Sequence, residues 1–341
     1  MNKPCLLTFV FALMALAVWP QAIKPYVNKV NPDDPARKTV SGFIIVGTEG
    51  AVRAFSAFTG GAATGTSYAQ VANDLHKVLG DSVRLYCMPI PSAAEFYTPT
   101  AASDWVRSQR PAISNIFSHL AKGVTPVNVY TTLGEHAAEP IYSRTDHHWS
   151  PLGAYYAAKQ FARVAGVPFR DLKAYDAHTV PDYVGTMYTY TKDEAVKNSP
   201  EDFVYYTPRN ARYTTTQITY TVKKKRVVSE TPPTASQFFV PFKGASAYCT
   251  FMGGDYNTTW VKTNVNNGRR LLVVKDSFGN AIPGYLFFSF EQVHVIDFRY
   301  FNRNVVDYVR ENAITDVLMA NVIEIAATAS TASKYRKLFG Q

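Results

Sequence analysis

The sequence predicts an α/β protein: a parallel sheet with helices on its faces. Short apolar runs that read as buried strands alternate with amphipathic helical windows, over 42–165 and again over 268–320. In the second block strand, helix, strand, helix and strand follow in series, which requires right-handed crossovers between parallel strands. The composition agrees: 47% apolar and 18% charged residues in 341 describe a folded globular chain, not a disordered one.

The chain opens with a short positive head, Met1-Asn2-Lys3, an apolar run over 5–19 and the break Pro20-Gln21-Ala22. This is the pattern of an export signal, or of an N-terminal anchor, over 1–22. The run is short of the ~20 residues a membrane span needs. The expectation is an extracytoplasmic chain, in the periplasm or at the cell surface, secreted or tethered to the membrane at its N-terminus. Beyond that segment only Cys87 and Cys249 remain, too few for a cysteine metal site. Export permits a disulfide between them, and the strand-like run around Cys87 suits a buried free thiol equally well.

From 23 to 40 the chain is polar and proline-punctuated. Strands are expected over 42–47 and 51–55, a loop over 60–66, a helix over 67–79 and a strand over 83–88 ended by Pro89-Ile90-Pro91. A short helix over 115–122 and a strand over 127–130 follow. Ser150 is a good N-cap, Pro151 suits the first helical position, and Gly166 marks the stop of the helix between them. Alternating Thr and Tyr and the pair Pro232-Pro233 mark a β-rich insertion over about 175–256, within a single domain over 23–341. The final block gives a strand over 269–274, a turn over 275–280, a helix over 281–289, a strand over 293–297, a helix over 304–311 and a strand over 315–320.

Lys and Arg number 35 against 26 Asp and Glu, a net +9 that suits an acidic polymer or an anionic surface. The one dense basic run, Lys223-Lys224-Lys225-Arg226, lies in a Thr-rich strand-like stretch without a nucleic-acid motif. It reads as a solvated strand face, and no nucleic-acid partner is expected.

Two stretches carry chemistry. Thr145-Asp146-His147-His148-Trp149 sets an acid, two imidazoles and an indole at the mouth of a helix, where polar groups can be exposed yet fixed. Lys275-Asp276-Ser277-Phe278-Gly279-Asn280 places a serine where a buried strand breaks into a turn, the edge at which parallel sheets bind ligands. Ser277 is either a helix cap or a nucleophile with helix amides beside it. Together Asp146, His148 and Ser277 supply the three roles of an acyl-transfer triad. Tyr142 and Arg144 flank the first motif and either orient Asp146 or face solvent. A metal site would need His136 beside Asp146, His147 and His148, and no helical His-x-x-x-His spacing supports one; no metal or other cofactor is expected.

The two signature stretches, with Gly153-Ala154-Tyr155-Tyr156-Ala157, resemble those of the bacterial DHHW protein family, itself similar to alginate O-acetylation proteins of the SGNH (GDSL-like) hydrolase superfamily. Met88-Pro89-Ile90-Pro91-Ser92 with Glu95-Phe96-Tyr97, Gly185-Thr186-Met187-Tyr188 and Ile296-Asp297-Phe298-Arg299-Tyr300-Phe301 fit as well. The resemblance implies an SGNH-like sheet with a circularly rearranged motif order, Asp-x-His before the serine. It makes Asp146, His148 and Ser277 the catalytic set. Arg299 and Asn321 stand near the positions of the usual oxyanion glycine and asparagine, and Gly279 allows close approach of the backbone; these three are candidates for oxyanion stabilisation or substrate positioning. Trp149 and Asp255 are candidate substrate contacts, though Trp149 also reads as a packing anchor and Gly253-Gly254-Asp255 as a turn.

The expected function is therefore a serine-dependent esterase or O-acetyltransferase acting on a cell-surface or extracellular polysaccharide. Polysaccharide-assembly proteins are the partners it would work with. The alternatives are a carbohydrate-binding or assembly protein that keeps the fold without turnover, and a metal-dependent hydrolase.

Overall fold

A computed structural model describes residues 23–340; the expected export signal or anchor, 1–22, lies outside the described residues. In chain order the elements are β1 (Ala36–Lys38), β2 (Phe43–Val46), β3 (Arg53–Ser56), α1 (Thr66–Leu79), β4 (Arg84–Ile90), α2 (Ala93–Tyr97), α3 (Arg110–Ser118), β5 (Val124–Pro126), α4 (Val129–Glu135) and α5 (Pro151–Ala165). Then come β6 (Tyr175–Tyr183), α6 (Thr186–Thr191), α7 (Glu194–Lys197), β7 (Glu201–Pro208), β8 (Tyr213–Lys223), β9 (Arg226–Glu230), β10 (Thr234–Ser236) and β11 (Asn257–Thr263). The chain closes with β12 (Arg270–Lys275), β13 (Gln292–Asp297), α8 (Val305–Glu311), β14 (Asp316–Val322), α9 (Ile323–Ala326) and α10 (Ala329–Leu338).

The main sheet runs β10-β8-β11-β13-β12-β14-β4-β5, with β9 paired to β8. From β13 to β5 every pairing is parallel. On the other side β11, β8, β9 and β10 add antiparallel, so most of the strand content of 213–263 extends the main sheet. Side chains of a strand point alternately to its two faces, and here both faces are buried, as parallel sheets require. Leu271, Val273, Leu318 and Ala320 join the apolar core under α5. Leu272, Val274, Val317 and Met319 join the core under α1, α3, α8 and α10.

Several elements differ from expectation. The helix expected over 115–122 is α3, which starts at Arg110 with Pro111 in its first turn. The strand expected over 127–130 is instead the three-residue β5 before it, because Asn128 caps α4 by accepting from the Thr131 amide. The helix expected over 281–289 is two 3-10 turns, Ser277–Ala281 and Pro283–Leu286, since Pro283 cannot donate to a continuous α ladder. The basic run forms the β8–β9 turn, with Lys224 and Lys225 both in the left-handed region. Cys87 and Cys249 are both free thiols, Cys87 buried and Cys249 partly so. Among the described residues no helix is long and apolar enough to cross a membrane.

Helix α5 is the scaffold for the first motif. Ser150 accepts from the Gly153 amide, and Gly166 ends the helix in the left-handed conformation. Gly153 is required by close approach: a Cβ there would lie 2.3 Å from the Ile141 carbonyl. Phe161, fully buried, anchors the helix edge-on against Tyr86, with ring centres 5.2 Å apart. Phe161→Ala is expected to cost about 3–5 kcal/mol, read as a lower urea midpoint with an unchanged slope.

Candidate functional site

Ser277 lies just past the carboxyl end of β12, after Asp276, and is the one residue of 271–280 that is not buried. The capping reading belongs to its neighbour. Asp276 Oδ1 accepts from the Phe278 amide at 3.0 Å, and Oδ2 accepts from the Val322 amide at 2.9 Å and from Asn321 Nδ2 at 3.2 Å. Asp276 thus ties the end of β12 to the end of β14 and leaves the Ser277 hydroxyl free for another partner.

That partner is His148. Its Nε2 lies 2.8 Å from Ser277 Oγ, and its Nδ1 lies 2.6 Å from Asp146 Oδ1. The His148 amide donates to the same Asp146 oxygen at 2.9 Å. Asp146 Oδ2 accepts from both the amide and the hydroxyl of Thr186, at 2.8 and 2.9 Å. Burial pushes the Asp146 carboxyl up, but His148, His147 and the Thr186 amide outweigh it and hold it well below the usual range. An acid ionised and fully hydrogen-bonded in this way fixes the Nδ1–H tautomer of His148, leaving Nε2 to accept from the serine.

The loop carrying these groups is pinned from outside the motif. Glu201, at the start of β7, accepts from the amides of Arg144 and Thr145 and from the Thr145 hydroxyl, at 2.8–2.9 Å. The Met187 amide donates to the Thr145 carbonyl at 3.0 Å. Tyr142 donates to the Pro91 carbonyl at 2.5 Å, and the Arg144 guanidinium donates to the Pro200 carbonyl at 2.8 Å, so both flanking residues hold the loop and neither touches Asp146. Tyr248 stacks flat on the His148 ring, with centres 3.8 Å apart and planes 7° apart, and its hydroxyl donates to the carbonyls of Ser277 and Phe278.

The remaining sequence candidates fall in different places. Trp149 is completely buried and donates from Nε1 to the Phe278 carbonyl at 2.9 Å; it locks the loop to the serine turn and has no surface to offer a substrate. Asn321 is also fully buried; it accepts from the hydroxyls of Tyr68 and Tyr335 and donates to Asp276, so it supports the turn from beneath and has no hydrogen bond to Ser277. Gly279 admits the side chain of Lys275: a Cβ there would lie 2.3 Å from the Lys275 Cβ. Arg299 pairs with both oxygens of Asp297 and with Asp255, and Asp255 also accepts from Asn280 at 2.8 Å. Lys275 completes this network on Asp297 at 2.9 Å. Arg299 is therefore a fixed cation beside the turn, and Asp255 its counter-ion. The Ser277 amide, first in its 3-10 turn, makes no hydrogen bond to the described residues.

His147 stands against the other ring, with its centre 3.7 Å from that of His148, and its Nδ1 bonds Thr186 Oγ1 at 2.6 Å. Asp146, His147 and His148 bring one potential ligand atom each within 4.8 Å. Both Asp146 oxygens and both His148 nitrogens already have hydrogen-bond partners, and His136 is paired away with Glu139 at 2.7 Å.

The mostly parallel sheet with helices on both faces is of the SGNH-hydrolase-like class of α/β folds. Within that class the chain belongs to the DHHW family: the family model described as DHHW protein matches residues 29–296. A crystal structure of a DHHW family protein from Eubacterium siraeum DSM 15702 is 36% identical, covers 89% of this chain and 97% of that one, and has a TM-score of 0.80. The structure of Bacillus cereus PatB1 with a sulfonyl adduct shares the fold at 19% identity and a TM-score of 0.64, over 89% and 98% of the two chains. The O-acetyltransferase domain of Pseudomonas putida AlgJ is more distant, at 13% identity over 89% and 99%, with a TM-score of 0.45. No curated protein matches the sequence.

Thr186, Glu201, Tyr248 and Asp276 are the supports that motif reading did not assign. The one signal for Thr186 is its place in the family-like stretch Gly185-Thr186-Met187-Tyr188; in the structure a Cβ at Gly185 would lie 2.5 Å from Asp146. Glu201 and Tyr248 lie in the insertion and carry no local pattern. Burial pushes the Asp276 carboxyl up to about 6, against the pull of Arg299 and the Val322 amide. Its folded value lies above its unfolded one, so its ionisation destabilises the fold as pH rises from about 4 to about 6. Relative to Asp276→Asn, wild type should lose on the order of 2–3 kcal/mol across that window and nothing more above it. Urea unfolding of both proteins at a series of pH values measures this.

Proposed function

We propose that the chain is a serine-dependent esterase or O-acetyltransferase acting on a cell-surface or extracellular polysaccharide. The observation that supports this best is the unbroken relay from Asp146 through His148 to Ser277, with contacts of 2.6 and 2.8 Å. The Ser277 oxygen attacks the acyl carbonyl while His148 Nε2 takes its proton, and Asp146 stabilises the imidazolium through Nδ1–H. The free Ser277 amide can donate to the negative charge that develops on the tetrahedral oxygen. Collapse expels the alcohol, which receives the proton from His148, and leaves an acyl ester on Ser277. Water or a sugar hydroxyl then gives its proton to His148 and attacks that ester, releasing acid or acylated sugar and restoring the serine. An export pattern at the N-terminus and a net charge of +9 fit a substrate outside the cytoplasm with acidic character.

Acetate release from a small activated acetyl ester tests this reading. Ser277→Ala and His148→Ala should each lower kcat by about three orders of magnitude or more, and Asp146→Asn by a comparable amount through the wrong tautomer. If the small ester proves inert with wild type, labelling by a fluorophosphonate is located by mass spectrometry. Turnover surviving in Ser277→Ala would overturn the serine mechanism, and a wild-type protein that neither turns over nor is labelled at Ser277 would mean that the fold serves binding alone.

A further inference from the structure

The relay does not account for His147, although it lies in van der Waals contact with His148. Its proton can be placed. Asp146 is an ionised acceptor, so the one Thr186 hydroxyl proton points to Asp146 Oδ2, at 2.9 Å. The Thr186 oxygen must then accept from His147 Nδ1, 2.6 Å away, which makes Nδ1 the protonated nitrogen. Burial, followed by the neighbouring His148, pushes the His147 imidazole down to about 3, so the ring is neutral in ordinary buffers. Its Nε2 therefore carries a lone pair. Among the described residues that atom has no hydrogen-bond partner, and the side chain is 29% exposed. An uncharged hydrogen-bond acceptor thus opens at the mouth of the site, one ring away from the group that deprotonates the attacking hydroxyl.

Beside it stands Tyr190. This ring is 48% exposed, its centre is 5.8 Å from that of His147, and it is backed by Phe43 in a parallel stack with planes 5° apart. A rigid, exposed aromatic face next to a bare acceptor matches the two surfaces of a pyranose, one apolar face and a rim of hydroxyls. Building on the acyl-enzyme reading above, we propose that Tyr190 and His147 form the acceptor-sugar subsite. Tyr190 takes the apolar face of the ring, and His147 Nε2 accepts from the hydroxyl adjacent to the one that donates to His148. The subsite selects sugars with two neighbouring hydroxyls and holds the reacting one in line with Ser277.

The test uses full-length Ser277→Ala protein with nitrogen-15-labelled histidine, titrated with methyl mannopyranoside and with a deoxy analogue lacking one hydroxyl of a neighbouring pair. Between about pH 5 and 8 His147 should show a protonated Nδ1 and a bare Nε2, and the Nε2 signal should move on binding the intact sugar. One lost hydrogen bond should weaken the analogue roughly five- to tenfold. His147→Phe should erase that preference, and His147→Gln, which keeps an acceptor near the Nε2 position, should restore part of it. Tyr190→Ala should weaken both sugars alike, by roughly tenfold or less. A protonated Nε2, equal affinity for the two sugars, or an Nε2 signal that neither sugar moves overturns the subsite. The titration needs no acyl-enzyme, so an unreactive Ser277 in wild type counts against the esterase reading without touching this one.

Discussion

The site depends on one buried charge. Asp146 is withdrawn from solvent and stays ionised, a state that is costly unless every lone pair has a partner. The chain supplies four donors: the amide and ring of His148, and the amide and hydroxyl of Thr186. Each donor imposes a further requirement. The Thr186 amide can come close only because residue 185 has no side chain. The 145–148 loop can present both imidazoles only because Glu201 gathers its amides. A single carboxylate thus explains why a loop, a hairpin and a short helix distant in sequence are held together.

The second half of the site is organised by the same logic at Asp276. This carboxylate reaches across to β14, so the serine turn is fastened to the centre of the sheet. Trp149 and Tyr248 then bind the carbonyl side of the turn, joining the histidine loop and the insertion to it. The serine sits where three segments cross, and its position is over-determined by backbone contacts that leave its hydroxyl free.

How much of this can be read in the sequence follows from the range of the interactions. The parallel strands are legible because both of their faces are buried, which makes them continuous apolar runs. Helix α5 is legible because Ser150, Pro151 and Gly166 act locally. Asp146, His148 and Ser277 stand out as chemistry-bearing residues at chain breaks. The 3-10 turns after Ser277 are harder to read, since the apolar run 281–289 suits a helix until the effect of Pro283 is weighed. Trp149 is legible as a packing anchor from the area an indole buries, but its partner, the Phe278 carbonyl, is not. Glu201 acts across 56 and 57 residues of chain and Tyr248 across 29 and 30 to the serine turn, and no local pattern encodes such partners.

The order of strands in the sheet has a consequence for how the protein is made. β14, the last strand among the described residues, lies between β12 and β4 at the middle of the sheet. Until it inserts, β4 has only the three-residue β5 beside it, β12 has one open edge, and Asp276 lacks the Val322 amide. Pairings of such long sequence separation form slowly, because loop closure must come before the contacts reward it. Before β14 is in place, the facing edges of β12 and β4 are open and can associate with other chains. Such a fold gains most from a chaperone that shields β4 and β12 until the closing strand is in place.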